Sequence, residues 1–182
     1  MIDEGIRRLN WGCGTEGAPG WLNSDLISGP RIDYVCDIRE GLPIETDRLD
    51  YVFSSHALQQ LPFLDVQPAL DELRRVLKPC GVLRLGLPDL DRALDAWQRG
   101  DAGYFYVPDE DARTMSGKLI VQMTWYGSSP VLFNYEFAEE MLLRAGFNNI
   151  SRCSFGETNS DYPDIAALDN RERETLFVEA QK

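Results

Sequence analysis

The strongest constraint on the fold lies near the amino terminus, where a short apolar strand runs straight into a turn with two glycines. The strand covers residues 7–11, the turn is Gly12-Cys13-Gly14, and a second short strand ends at Asp25. Glycines allow a sharp turn at the carboxyl end of a strand and let a ligand approach the main chain closely. An acid at the end of the neighbouring strand can accept both hydroxyls of a ribose. This layout indicates a nucleotide-binding site on an α/β sheet.

The following segments alternate between strand and helix patterns. We predict strands at residues 22–25, 32–35, 49–53 and 82–87, of which the run 49–53 is rich in β-branched and aromatic residues. Apolar residues recur at helical spacing over residues 65–78 and again over 90–97, which Gly100 closes. This alternation predicts an open, mostly parallel α/β sheet.

The carboxyl-terminal half is less regular. Residues 101–130 hold one helix between 112 and 125, for which we predict Met115, Leu119, Ile120 and Met123 on the inner side, and the segment could form a lid or an acceptor pocket. Asn134 is the expected N-cap of a helix over residues 135–145. The last two strands, at 149–155 and 175–180, are joined by a long acidic loop without a convincing helix, a connection that allows an antiparallel pair at the edge of the sheet.

Composition limits the function. The 182 residues suggest one domain over the whole chain, and no apolar run is long enough to span a bilayer. Residues 1–5 lack the basic and apolar regions of a secretion signal, so we expect a cytoplasmic protein without a membrane partner. The net charge of −12 disfavours nucleic acid, and the acidic residues of 109–111 and 157–174 suggest a solvated face.

Metal and disulfide sites are not expected. The four cysteines are far apart and form no metal-binding pair, and His56 is the single histidine, so a site of several histidines is excluded. Cys13 could be a reactive thiol or simply a small side chain tolerated in a tight turn.

Ligands of such sheets bind at the carboxyl ends of the strands. The glycine turn would admit the tail of a nucleoside, and Asp25 would take its ribose. Asp37 could accept from an adenine amino group, while the main chain of Ile38 recognises a ring nitrogen. His56 follows the fourth strand and Asp89 follows the fifth.

Four sequence blocks in order resemble the class I S-adenosylmethionine-dependent methyltransferases, and most closely the small bacterial methyltransferase type 11 group. The blocks cover roughly the first half of the chain: LNWGCG with PGWLNSDL (residues 9–14 and 19–26), DIREGLP (37–43), LDYVFSSHAL (49–58) and ELRRVLKPCGVL (72–83). The helix over residues 135–145, followed by Gly146 and Phe147, also looks like the family's late helix.

This resemblance implies a Rossmann-like open sheet of about seven strands, with an antiparallel last strand and helices on both faces. It also implies S-adenosylmethionine as methyl donor, S-adenosylhomocysteine as product, and transfer to an oxygen or nitrogen of a small-molecule, sugar or peptide acceptor. The implied cofactor-binding residues are Trp11, Gly12, Cys13, Gly14, Asp25, Leu26, Asp37, Ile38 and Ser54.

The chain departs from the family pattern in three places. Glu16 stands where the family has a third glycine, with Gly17 beside it as a substitute. Only residues 15–20 separate the turn from the second strand, whereas a parallel crossover takes a dozen or more residues, so the first helix must be shortened or absent. Leu58-Gln59-Gln60 replaces the family's Leu-Glu-His, so that ionisable pair is missing.

Several residues keep two interpretations. Asp25 and Asp37 could instead be turn carboxylates. His56 could be a general base, with Asp89 behind it, or could cap a helix or pack beside the cofactor. Trp11 and Trp21 could flank the cofactor or cover an exposed sheet face. An aromatic cluster in the irregular segment could line an acceptor pocket: Tyr104, Tyr106, Trp125 and Tyr126.

Two other functions compete with methyl transfer. Gly17 completes the glycine pattern of an NAD-binding site, but Asp25 follows it by only eight residues where that motif wants an acid about 20 residues on. A methyltransferase-like module that binds partners without catalysis is also compatible with the sequence.

Overall fold

The structure is a computed structural model that describes residues 7–182; residues 1–5, on which the secretion-signal prediction rests, lie outside that range. Its centre is a seven-stranded sheet. The strands are β1 Arg8–Trp11, β2 Leu22–Asp25, β3 Tyr34–Val35, β4 Leu49–Ser55, β5 Leu77–Pro88, β6 Asn148–Cys153 and β7 Thr175–Gln181. The α-helices are α1 Phe63–Val76, α2 Leu90–Arg99, α3 Met115–Thr124 and α4 Tyr135–Arg144.

The strand order confirms the predicted fold class. The strands lie in the order β3-β2-β1-β4-β5-β7-β6. Neighbours from β3 to β5 are parallel, whereas β7 runs antiparallel to both β5 and β6. This is the Rossmann-like sheet of about seven strands with an antiparallel last strand. The strand order reverses next to β1, where a ligand crevice is expected.

One face of the sheet is covered by α1 and α4. The apolar stripe of α1 is buried as its spacing predicts, through Val66, Ala69, Leu70, Leu73 and Val76. α4 begins at the predicted N-cap, because the side chain of Asn134 accepts a hydrogen bond from the amide of Phe137. Both helices pack on the inward leucines and valines of β4, β5 and β7.

The opposite face is covered largely by loops. Residues 12–21, all within the described chain, contain no helix, which confirms that the first helix is absent. Trp21 takes its place, with ring centroids 5.3 Å from Tyr51 and 6.3 Å from Phe53. The side chain of Asn23 holds this passage by bonding to the main chain of Ala18 at both its oxygen and its nitrogen. Trp21 therefore covers the sheet and does not flank the crevice.

The acidic loop between β6 and β7 covers the rest of this face, so the prediction of a solvated surface is wrong for part of it. A single helical turn, Pro163–Ala166, buries Ile165 against Trp21 and Tyr51. Further along, the carboxylate of Asp169 bonds the guanidinium of Arg84, and both side chains are buried. Arg84 occupies a sheet position that faces the loop, and its guanidinium pairs with the carboxylate of Asp169 in the protein interior.

α3 differs from its prediction in one respect. Met123 is buried, and Met115 and Leu119 pack beside it, as expected. Ile120 is exposed, however, and Lys118 lies inward because its ammonium donates to the carbonyl of Val107 and pairs with Asp109. The aliphatic stem of a lysine can fill an apolar position when its head finds acceptors. None of the helices in the described part of the chain is long and apolar enough to cross a membrane.

Candidate active site

The glycine turn forms the floor of the crevice. Gly12 and Gly14 have φ angles of +66° and +69°, which favour glycine. A Cβ on Gly12 would lie 2.3 Å from the Cβ of Ala57, whereas one on Gly14 would meet nothing within 4 Å. The amide of Gly12 donates to the carbonyl of Ser24 at 2.8 Å, which fixes the turn to the end of β2.

Asp25 braces this turn from β2. One carboxylate oxygen accepts from the amide of Gly14 at 2.7 Å, and the other accepts from the amide of Ile27 at 3.1 Å. Each carboxylate oxygen can accept two hydrogen bonds, so the group keeps capacity for a ligand hydroxyl. Asp25 is thus a turn carboxylate in this structure, with acceptor capacity left over.

Two cavities meet at the glycine turn. The first, which we call the Asp25 cavity, has a volume of about 400 Å³. It is lined by Trp11, Gly12, Gly14, Asp25, Leu26, Ile27, Cys36, Asp37, Ile38, Arg39, Ala57, Gln60, Leu61 and Pro62.

The second, which we call the His56 cavity, has a volume of about 300 Å³. It is lined by Gly12, Cys13, Gly14, Ser55, His56, Gln59, Gln60, Pro88, Tyr104, Gln122, Met123, Trp125, Ser129, Asn170, Arg171 and Glu174. Gly12, Gly14 and Gln60 belong to both walls, so the two cavities adjoin at the turn, and we call the pair the groove.

The structure brings nearly all the sequence-predicted site residues into this groove. Of the ten, only Ser54 lines neither cavity; its side chain is buried in β4, and the next residue, Ser55, reaches the His56 cavity instead. Successive side chains of a strand point to opposite faces, which explains the exchange. The main chain of Ser54 remains at the end of β4, where the resemblance implies a contact.

Asp37 is engaged by its neighbour. Its carboxylate caps the turn Ile38–Glu40 and forms a two-pronged ion pair with Arg39, at 2.9 and 2.6 Å from one oxygen. The hydrogen bonds from Arg39 lower the pKa of Asp37. An adenine amino group would have to share this carboxylate with Arg39. Ile38 is buried beside it and offers an apolar wall.

His56 is partly buried and held in a fixed orientation. Its Nε2 lies 2.9 Å from the hydroxyl of Thr175, and its main chain has a φ of +54°. Burial and the charge of Arg171 lower the pKa of the imidazole to about 4. The ring is therefore neutral near pH 7, where it can exchange a hydrogen bond but is a weak proton acceptor.

Cys13 is not poised as a nucleophile. Burial, followed by the charge of Asp25, raises the pKa of its thiol to about 11. Because the thiolate is the reactive form, the interpretation as a small side chain in a tight turn fits the structure better.

Asp89 does not support His56. Its side chain is buried, caps α2 through the amides of Asp91 and Arg92, and pairs with Arg152. It lines neither cavity. Its acceptor capacity is used by the fold, so the suggested role behind a catalytic histidine has no geometric basis.

The predicted aromatic cluster divides in two. Tyr104 and Trp125 line the His56 cavity. Tyr106 instead lies under the guanidinium of Arg173 at 4.3 Å, and the hydroxyl of Tyr126 bonds Asp111 at 2.6 Å. Burial, followed by the charge of Asp89, raises the pKa of Tyr104 to about 12, so its hydroxyl stays protonated.

Sequence reasoning missed three residues of the acidic loop. Asn170, Arg171 and Glu174 line the His56 cavity, with the hydroxyl of Ser55 bonded to Asn170 at 3.3 Å. Arg171 has a φ of +54° and lies 3.7 Å from the carboxylate of Glu174. Burial raises the pKa of Glu174 above its usual value. No local pattern distinguishes these residues from a solvated loop; tertiary contacts bring them to the site, among them the pair of Asp169 with Arg84 and the bond from the Asp89 amide to the carbonyl of Glu174.

Gly17 serves packing and not the turn. Its φ is +58°, and a Cβ there would lie 2.9 Å from the side chain and carbonyl of Arg31 and 3.0 Å from Asn23. It lines neither cavity. The glycine that completes the letters of an NAD motif therefore lies away from the groove. Within the described residues, no group of His, Cys, Asp and Glu is arranged to hold a metal ion.

Comparisons with known proteins agree with the fold. Residues 13–85 match a family model described as a methyltransferase domain. Among curated proteins, none matches the chain.

Solved structures match over nearly the whole chain. A SAM-dependent methyltransferase from Archaeoglobus fulgidus aligns with a TM-score of 0.60 and 14% identity, over 98% of this chain and 87% of that one. One from Thermotoga maritima aligns with a TM-score of 0.58 and 16% identity, over 100% and 84% of the two chains. One from Mesorhizobium loti has a TM-score of 0.55 and 20% identity, over 98% and 91%.

These findings confirm the resemblance. The chain has the fold of the class I S-adenosylmethionine-dependent methyltransferases, and its first half carries the sequence match to a methyltransferase domain. The structures named above are described as S-adenosylmethionine-dependent, which agrees with the cofactor that the resemblance implies.

Proposed function

We propose that the protein transfers a methyl group from S-adenosylmethionine to an oxygen or nitrogen of a small acceptor held in the His56 cavity. One observation carries this proposal: two cavities of comparable size meet at the glycine turn and share Gly12, Gly14 and Gln60. A cofactor laid across the turn would have its nucleoside on one side and its reactive sulfonium facing the other.

The Asp25 cavity suits the adenosine. Asp25 retains acceptor capacity for the ribose hydroxyls, and Leu26, Ile38 and Leu61 give apolar walls for a flat base. Asp37 remains the proposed acceptor for the adenine amino group, shared with Arg39. The methionine end would lie along Gly12–Gly14. The guanidinium of Arg171, which lines the His56 cavity, would pair with the carboxylate of the methionine end.

Methyl transfer from a sulfonium needs little from the protein beyond positioning, because the electrophile is already activated. Where the acceptor carries a proton, a base must take it. Glu174 is a better candidate than His56, because burial raises the pKa of the carboxyl and lowers that of the imidazole. We propose that His56 positions the acceptor by hydrogen bonding and that Glu174 accepts the proton.

Calorimetric titration with S-adenosylmethionine, S-adenosylhomocysteine and NAD tests the proposal. We expect both sulfur ligands to bind and NAD not to bind. Binding of NAD alone would point to an oxidoreductase, and binding of none of the three would favour a non-catalytic interaction module. A screen of acceptors with radiolabelled methyl donor then tests turnover.

A further inference from the structure

A third cavity, which we call the arginine cavity, lies outside the groove but at the same edge of the sheet. β6 runs parallel to β5, because both are antiparallel to β7, so the two strands end at this edge. The cavity opens between the carboxyl end of β6, the first turn of α2 and residues 172–173 of the acidic loop, and its volume is about 680 Å³. None of its lining residues belongs to the Asp25 cavity or the His56 cavity. The proposed methyl transfer does not use this space.

Three arginines line the arginine cavity, with one buried carboxylate beneath them. Arg92, Arg152 and Arg173 are all exposed. Oδ2 of the buried Asp89 lies 3.3 Å from Nε of Arg92 and accepts a hydrogen bond from Nη2 of Arg152. Arg173 pairs with no carboxylate of a described residue; its guanidinium donates to two main-chain carbonyls instead. The three guanidinium groups therefore share a single buried negative charge.

Several nitrogen atoms of these arginines have no acceptor. Among the described residues, none accepts from Nη2 of Arg92, from Nε or Nη1 of Arg152, or from Nε of Arg173. The side chains of Arg92 and Arg152 are 45% and 46% exposed, so both are accessible to a ligand. An arginine keeps its charge in a protein, and its planar set of N–H donors matches the paired oxygens of a carboxylate or phosphate. The open donors therefore indicate an oxyanion.

The opposing charge at the arginine cavity is smaller than that of the arginines. Glu172 is the one acid of the lining, and it is exposed and forms no ion pair with the three arginines. Three positive charges therefore meet two negative ones, those of Glu172 and Asp89. The net charge of −12 opposes an anion at long range, but physiological salt screens exposed charges beyond about 8 Å, whereas the arginines would contact the ligand directly.

An apolar surface lies beside the arginines. Phe155 lines the cavity and is 41% exposed, and its ring meets the buried ring of Phe177 edge-on at a centroid distance of 5.9 Å. Aromatic rings pack favourably in offset or edge-to-face arrangements, so an exposed phenyl ring suits an aromatic ligand. A ligand that combines an oxyanion with an aromatic ring would use both parts of the cavity.

We propose that the arginine cavity binds a small organic anion, a carboxylate or phosphate carried on an aromatic ring. The oxyanion accepts hydrogen bonds from the open nitrogens of Arg152 and Arg173, and the ring packs on Phe155. The inference is independent of methyl transfer, because none of these residues lines the groove.

NMR titration of isotope-labelled protein tests the site with benzoate, phenyl phosphate and the neutral benzamide. We expect at least one anion to bind about tenfold more tightly than benzamide, the value of a hydrogen bond to a charged group, and to shift the signals of the Arg152 Nε–H and the Phe155 amide. The tighter of the two anions identifies the oxyanion. Equal affinity for benzamide, binding of neither anion, or shifts confined to residues of the groove such as Arg39 and Arg171 would overturn the inference.

A pair of arginine variants separates the cavity from general charge. Arg152→Gln removes open donors of the cavity, whereas Arg99→Gln removes a guanidinium that is exposed on α2 and lines none of the three cavities. We expect the affinity for the anion to fall about tenfold in Arg152→Gln and to stay unchanged in Arg99→Gln. Equal affinities in the two variants would overturn the assignment. The same loss is expected for Arg173→Gln, which leaves no carboxylate without its partner and so serves where Arg152→Gln does not fold.

The inference and the proposed function fail in different ways. If S-adenosylmethionine does not bind, methyl transfer is contradicted, and the anion titration keeps its meaning. If S-adenosylmethionine binds and neither anion does, only the inference about the arginine cavity fails.

Discussion

Gly12 and Gly14 are two glycines of one turn with different physical roles. Both have a positive φ, but only Gly12 faces another backbone element, at Ala57. Gly14 faces open space beside both cavities. The first glycine therefore serves the fold, and the second serves access of the ligand to the main chain.

Alanine variants should separate these roles. Gly12→Ala combines left-handed strain with a clash, and we expect it to lower the free energy of unfolding by about 3 kcal/mol. Gly14→Ala adds strain alone, at about 1 kcal/mol, but places a methyl group in the groove and should weaken binding of S-adenosylmethionine. Urea unfolding and calorimetry measure the two effects. Equal losses of stability would contradict the assigned contact with Ala57.

His56 should make stability depend on pH. Its pKa is about 4 in the folded protein and about 6.5 when unfolded. The free energy of unfolding therefore has its full value, as far as His56 is concerned, above pH 6.5, and it decreases as the pH falls towards 4. At pH 5 the loss is about 2 kcal/mol relative to pH 7.

The variant His56→Asn tests this contribution, because asparagine tolerates the positive φ and does not titrate. When the pH is lowered from 7 to 5, the unfolding free energy of the variant should fall by about 2 kcal/mol less than that of the wild type. Carboxylates such as Asp37, whose pKa is lowered by Arg39, lose their contribution below pH 5 and so do not mask the difference. Identical losses would show that His56 is not held neutral by burial.

The His56 cavity distinguishes two adjacent aromatic residues. Trp125 lines the His56 cavity and Tyr126 does not, although both are exposed and both have a positive φ. We expect Trp125→Ala to lower kcat/KM for the acceptor about tenfold without changing affinity for S-adenosylmethionine. Tyr126→Ala is the matched control and should keep both values. Equal effects would remove Trp125 from the acceptor wall.

At the scale of elements, the acidic loop covers the part of the sheet that a first helix would otherwise cover. Residues 12–21 are too few to form a crossover helix, so the sheet face over β4 and β5 needs another cover. The loop of residues 154–174 supplies it through Ile165 and the buried Asp169. Because the same loop carries Asn170, Arg171 and Glu174 into the His56 cavity, closure of the sheet and completion of the site are coupled.

Removal of the loop's anchor tests this coupling. Asp169→Ala leaves the buried Arg84 with Glu179 as its only carboxylate and frees the amide of Gly156. We expect a loss of about 3 kcal/mol in unfolding free energy and faster hydrogen exchange over residues 154–174. Affinity for S-adenosylmethionine should fall as well, since Arg171 loses its position.

Asp161→Ala is the control, because Asp161 is an exposed acid of the same loop. It should change stability by no more than about 0.5 kcal/mol. If both variants behave alike, the loop does not depend on the ion pair with Arg84.

Several helices could be predicted because their residues repeat with a clear period or begin with a cap residue. The apolar stripe of α1 and the cap at Asn134 appear in the structure where the sequence indicates them. The site residues on strand ends could be predicted for the same reason, since parallel strands end at one edge. α3 was partly misjudged at Ile120, because a lysine with two acceptors competes for an inward position.

The acidic loop could not be assigned in this way. An acidic stretch without periodicity predicts a solvated surface, and the partner that buries Asp169 lies 85 residues away in β5. Gln59 shows the same limit: its sequence neighbours give no sign that it lines the His56 cavity. Such residues are positioned by tertiary contacts, which a local pattern does not contain.

At the scale of the whole molecule, one sheet topology organises the chemistry. The strand order reverses next to β1, and the groove crosses the chain at this point, with the Asp25 cavity on one side and the His56 cavity on the other. The net charge of −12 favours cationic ligands at long range, and the sulfonium of the proposed cofactor is a cation.

A crystal structure with S-adenosylhomocysteine tests the central claim most directly. We expect the adenosine in the Asp25 cavity with its ribose hydroxyls on Asp25, the amino acid end along Gly12–Gly14, and the sulfur facing the His56 cavity. A ligand bound away from the glycine turn, or one whose sulfur faces away from the His56 cavity, would contradict the account of the groove as a methyl-transfer site.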